Sequence, residues 1–83
     1  MSKLEIQESL LGFISRNFMV DKDIIALDKS LVDTGIIDSM GLIEIATFME
    51  HQFGFKVQEE QMNRENFGSV LQMVDFIQKQ TQN

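Results

Sequence analysis

The sequence predicts a small all-α bundle with three main helices, one short helix and a long loop between the first and second. Three observations carry that expectation. Apolar residues recur at helical spacing in three separate stretches. Capping residues stand at the starts of those stretches. The chain has 83 residues and no Pro, so the helix breaks fall to Gly, Asn and Asp.

The first helix is predicted over residues 3–18. Ser2 with Glu5 three residues later reads as a capping box. Ile6, Leu10, Phe13 and Ile14 then recur on one face, with Leu11 and Phe18 beside them. Over residues 19–37 the periodicity weakens. Acidic residues interleave with Ile24, Ile25, Leu27, Leu31, Val32, Ile36 and Ile37, which predicts a long loop folded back onto the core. Gly35 suits a positive-φ turn.

The second helix is expected to begin at Ser39 with Asp38 as N-cap. Leu42, Ile45, Ala46, Met49 and Phe53 form its apolar stripe, and Gly54 ends it. Phe55 and Val57 alternate with Lys56, but a lone strand has no partner, so the stretch reads as extended loop. A short helix is predicted from Glu59 to about Arg64, followed by a loop over residues 63–68 with Phe67 as its apolar anchor. Ser69 with Gln72 opens the last helix. Val70, Met73, Val74 and Ile77 face inward there, with Leu71 and Phe76 near the edges, and residues 79–83 form a polar tail that frays. One domain over residues 1–83 accommodates all of this.

Composition excludes several functions. Thirteen acidic and seven basic residues give a net charge of −6, which repels nucleic acid and anionic lipid and favours partners with basic patches. No apolar run is long enough to span a bilayer, and the first residues lack a secretory layout, so a cytoplasmic monomer is expected. There is no Cys to serve as thiolate nucleophile or metal ligand. Asp21, Asp23 and Asp28 fail as a calcium loop, because Ile25 and Ala26 fall at its fifth and sixth positions. The only His, His51, reads as a solvated helix residue without a second metal ligand.

The most informative stretch is Gly35-Ile36-Ile37-Asp38-Ser39-Met40. A serine at a helix start is ordinarily just a terminus residue. Here a largely apolar loop leads into it and presents it to solvent. His51 lies about three turns further along the helix, too far to act as its base, so no Ser-His-Asp arrangement exists. Any modification of Ser39 therefore needs another enzyme. A phosphodiester on its Oγ would sit at the positive end of the helix dipole.

With these residues in place, the chain resembles the acyl carrier protein family, which includes peptidyl and aminoacyl carriers. Asp38-Ser39-Met40 is similar to the family's Asp-Ser-Leu motif, and residues 31–37, with Asp33 and Gly35, resemble its approach. Phe53, Val57, Ser69-Val70 and Asp75-Phe76-Ile77 also fall where the family has similar residues. The resemblance implies a four-helix bundle of the acyl-carrier type and a phosphopantetheine arm on Ser39, joined by a phosphopantetheinyl transferase using coenzyme A and Mg²⁺. The arm's thiol would hold an acid as a thioester, loaded by an acyl ligase or transferase and passed to synthase enzymes. The protein itself would catalyse nothing.

Some positions depart from the family. Met40 replaces the usual Leu, a volume-conserving change. Gly41 stands where fatty-acid carriers often have an acidic residue. The second helix carries only Glu44 and Glu50, and Glu65-Asn66-Phe67 is more similar to carriers of dedicated ligase-linked pathways. Fatty-acid, polyketide and ligase-linked pathways all stay open. Asp38, Met40, Ile43, Glu44 and Glu50 form the expected partner surface, with Met40 and Ile43 as an exposed apolar spot. Phe13, Leu42, Ile45, Ala46, Met49, Phe67 and Val74 are the expected lining for an acyl chain. The alternative is an unmodified helical module that binds a partner through Met40 and Ile43.

Overall fold

A computed structural model describes residues 2–82. Helix α1 spans Lys3–Phe18, α2 Ser39–Phe53, α3 Arg64–Phe67 and α4 Val70–Thr81. One-turn 3₁₀ helices cover Lys22–Ile24 and Glu59–Gln61. No strand occurs among the described residues, so Phe55 and Val57 lie in extended loop as predicted.

The predicted bounds of α1 hold because its cap is built as the sequence implies. The Glu5 amide donates to Ser2 Oγ at 3.2 Å, and the Ser2 amide donates to Glu5 Oε1 at 2.8 Å. That amide, and to a smaller degree the Ser2 side chain, holds the Glu5 carboxyl below the ordinary carboxylate range. The ionised cap therefore persists above the unfolded value. It is lost only as pH falls through the lowered folded value.

The core runs along the inner faces of α1, α2 and α4. Leu10, Ile14, Ile45, Met49, Met73 and Ile77 are fully buried. Each such side chain contributes about 1.5–3 kcal/mol of transfer free energy. Helix α4 packs mainly on α1 and α3. Phe76, expected near an edge, is buried, with the Phe55 ring edge-on at 5.8 Å and the Phe67 ring tilted at 5.5 Å. The adjacent Leu71 stays exposed.

Two elements differ from the sequence expectation. The short helix was expected from Glu59 and the loop after residue 63; the order is a 3₁₀ turn at Glu59–Gln61 and then α3 at Arg64–Phe67. Asn63 explains the shift. Its side chain accepts from the Asn66 amide at 2.9 Å and starts a new helix where a loop was expected. The last helix also continues to Thr81, whose hydroxyl donates to the Ile77 carbonyl at 2.9 Å; the part of the tail expectation on residue 83 lies outside the described residues.

The loop between α1 and α2 is more ordered than its sequence suggests. The Ile36 and Ile37 amides both donate to the Leu31 carbonyl, at 3.0 and 3.2 Å. Gly35 turns the chain at φ 79°. Buried Leu31 and Ile37 then fasten both ends of this turn to the core. The Leu71 amide donates to the Leu27 carbonyl at 3.1 Å, so the loop also satisfies one free donor of α4.

Gly41 explains one departure noted in the sequence. A Cβ there would meet Ile37 Cβ at 2.9 Å and the Phe18 ring at 3.1 Å. No side chain fits without displacing both, so an acidic residue is excluded by packing. Gly41→Glu should therefore lower stability by about 2 kcal/mol or more, by overpacking and by burying a carboxylate. Urea unfolding reads this as a lower midpoint at unchanged slope, and an unchanged midpoint would refute the packing account.

Candidate functional site

Ser39 is exposed and is the first residue of α2. Its position follows from three local constraints. Ile37 is pinned in the core, Asp38 takes the extended N-cap conformation, and Asp38 Oδ1 accepts from the Gly41 amide at 2.9 Å. The amides of Ser39 and Met40 have no acceptor within the helix, so the backbone near the serine is a positive end without its own counter-charge.

Ser39 borders a cavity of about 210 Å³. Ser30 and Val32 of the loop and Leu42 of α2 form the walls on its side. The 3₁₀ turn and α3 complete it with Met62, Asn63, Arg64, Phe67 and Gly68. The Arg64 guanidinium pairs with Asp33 across Nη1–Oδ2 at 3.4 Å and Nη2–Oδ1 at 3.5 Å. Arg64 is the cation among the lining residues.

Of the expected acyl lining, only Leu42 and Phe67 border this cavity. Ile45, Ala46, Met49 and Val74 are buried in the core instead. Phe13 sits elsewhere, stacked on Phe48 with ring centroids 4.3 Å apart. Helix periodicity identified the inward faces correctly but did not separate core from cavity wall. The wall residues missed from sequence, Ser30, Val32, Met62, Asn63, Arg64 and Gly68, come from loop and α3, where periodicity carries no signal. The capping pair Asn63 and Asn66 was the one cue that would have found α3.

The expected partner surface divides in the same way. Met40 is 65% exposed and Ile43 50%, so both project to solvent beside Ser39. Glu44 is exposed but accepts from the Asn17 side-chain amide of α1. Glu50 is half-buried and accepts from the Val57 amide at 2.8 Å, which ties it to the loop after α2. Its carboxylate braces the fold rather than standing free. His51 is exposed, as expected, and no cluster of potential metal ligands occurs among the described residues.

Ser39 thus faces solvent at the start of α2 beside a small cavity. The sequence matches the phosphopantetheine attachment site family over residues 8–81, and the chain belongs to that family. It is a phosphopantetheine-bearing carrier, and other enzymes supply the chemistry. Carriers of this kind meet phosphopantetheinyl transferases and ligases or synthases. Similar relatives are the D-alanyl carrier proteins of Streptococcus pyogenes serotype M5 (strain Manfredo) and serotype M1. Each is 28% identical over 76 residues, covering 92% of this chain and 95% of the relative.

The N-cap gives a direct test of how the serine is held. Asp38→Ala should cost about 1 kcal/mol and leave the fold intact. Amide exchange at Gly41 should accelerate while that of core residues in α1 keeps pace with the global change alone. Unchanged exchange at Gly41 would show that the cap does not fix the start of α2.

Proposed function

We propose that Ser39 carries the phosphopantetheine arm and that the cargo is a small acid activated by a dedicated ligase, D-alanine or a similar amino acid. The observation that carries the first part is the exposed Ser39 hydroxyl at the start of α2, beside a cavity and within the matched family segment. The residues suit the group. Ser39 offers a primary hydroxyl, and the free amides of the first turn and Arg64 offset a phosphate charge. Leu42, Met62 and Phe67 give the arm an apolar wall. When bound, the arm supplies the thiol that holds the acid as a thioester.

Two observations support a small cargo. The relatives are D-alanyl carriers. The cavity of about 210 Å³ is only somewhat larger than the ~150 Å³ that encloses a single benzene-sized group. A long acyl chain would need the core residues Ile45, Met49 and Val74 to part. Ser30, Asn63 and Arg64 also give the cavity a polar rim.

The chain's own residues then act by presentation. The turn held by Leu31 and Gly35 keeps Ser39 outward, and the Asp38 cap keeps α2 from fraying behind it. Met40 and Ile43 offer an apolar contact for the transferase and the loading ligase, with Asp38 and Glu44 beside them for basic partner residues. The net charge of −6 speeds those encounters. The carrier works as a single-domain monomer in the cytoplasm, where coenzyme A is available.

Intact-protein mass tests the site. Incubation with coenzyme A, Mg²⁺ and a broad-specificity phosphopantetheinyl transferase should add one phosphopantetheinyl group to the wild type and none to Ser39→Ala. The same gain in Ser39→Ala, or none in the wild type with the transferase active on a control carrier, would overturn the site. The holo protein should then gain one alanyl group with ATP, D-alanine and a D-alanine-activating ligase. Gain with a fatty acid and its ligase instead would overturn the cargo assignment but not the site.

A further inference from the structure

Arg64 and Ser39 line one cavity, Arg64 on α3 and Ser39 on α2. The pairing of Arg64 with Asp33 is long. Its two contacts, 3.4 and 3.5 Å, exceed the roughly 2.7–2.9 Å of a well-formed charge-assisted hydrogen bond. Both side chains are mostly exposed, at 83% and 58%, so the pair is weak and little is lost on exchanging its anion. The guanidinium is a planar fork that suits two oxygens of a phosphate as well as it suits a carboxylate.

We propose that Arg64 leaves Asp33 when the arm is attached and pairs with the phosphodiester on Ser39, so that it positions the root of the arm. This rests on the assignment of the arm to Ser39. Asp33 thus acts as a stand-in anion in the unmodified protein. Three features favour the exchange. The phosphodiester carries a full negative charge in the cavity that Arg64 already borders. The cavity wall contributes no other cation and no carboxylate. The first-turn amides of α2 face the same phosphate from the other side. The Asp33–Arg64 pair joins the loop wall of the cavity to the α3 wall. Exchange would release that join, so attachment of the arm would also free the cavity mouth for cargo.

The test uses holo protein with a free thiol and no cargo, so that the arm's phosphodiester is the only added anion. Intact mass first establishes attachment; failure there concerns Ser39, not Arg64. The side-chain Nε–Hε NMR resonance of Arg64 is then compared between unmodified and holo protein, with Arg16, the other arginine, as internal control. The Arg64 resonance should shift on attachment and the Arg16 resonance should not. The ³¹P resonance of holo Arg64→Gln should differ from wild type, and Arg64→Lys should restore part of the difference. Arg64 is exposed, so these variants should fold. An Arg64 resonance unchanged between the two forms would overturn the proposal. A shifted Arg64 with an unaltered ³¹P signal in Arg64→Gln would overturn it as well, because the shift would then report loop rearrangement.

Discussion

The site depends on one close approach, the contact of α2 at Gly41 with Ile37 and Phe18. It fixes where the helix begins. Ile37 is buried, and Gly41 four residues later lets the helix backbone lie directly on it. Asp38 and Ser39, which lie between them, are thereby forced outward. Asp38 has only the Gly41 amide within easy reach and caps the helix. Ser39 has no inward option. A larger residue at position 41 would push the helix start away from the loop and give the serine freedom that the packed arrangement denies it. Packing here does the positioning that a catalytic enzyme would obtain from a base and its orienting partner.

Charge is used differently from what a net of −6 suggests. A surface count treats each carboxylate as available to a partner. Glu44 is bonded to α1 through Asn17, and Glu50 holds the loop after α2 through Val57. Asp38 is spent on the cap and Asp33 on Arg64. The charge still contributes to the long-range field, because these bonds neutralise nothing except at Asp33. The exposed apolar side chains near Ser39 are Met40 and Ile43. On the proposed partner surface, steering and docking would be carried by different residues, and salt would weaken the first far more than the second.

Much of this was legible in the sequence, for identifiable reasons. Helix α1 and the start of α2 were readable because each begins with a side chain that caps it, Ser2 with Glu5 and Asp38 with Gly41 behind it. The inward faces of all three long helices were readable from periodicity. The turn at Gly35 followed from its need for positive φ. What escaped was set by contacts between distant segments. Nothing local to Glu50 announces Val57, and nothing near Asp33 announces Arg64, 31 residues away. The expected lining divides between core and cavity for a related reason. An apolar position on an inward face reads the same whether it meets another helix, as Met49 does, or borders a cavity, as Leu42 does. Only the relative placement of α2 and α3 separates them.

That placement also explains why the cavity lies at α3 and not between the long helices. A four-residue helix has one turn of backbone bonds and one fully buried anchor, Phe67. Little holds it except that ring, the Asn63 cap and the exposed Asp33–Arg64 pair. Helices α1 and α4, by contrast, share a continuous face of fully buried residues. Opening space between them would expose side chains worth about 1.5–3 kcal/mol each. The α3 wall is therefore the one that costs least to move. Gly68, behind that wall, sharpens the point. A Cβ there would collide with the Arg64 carbonyl, so α3 turns into α4 as tightly as the backbone allows.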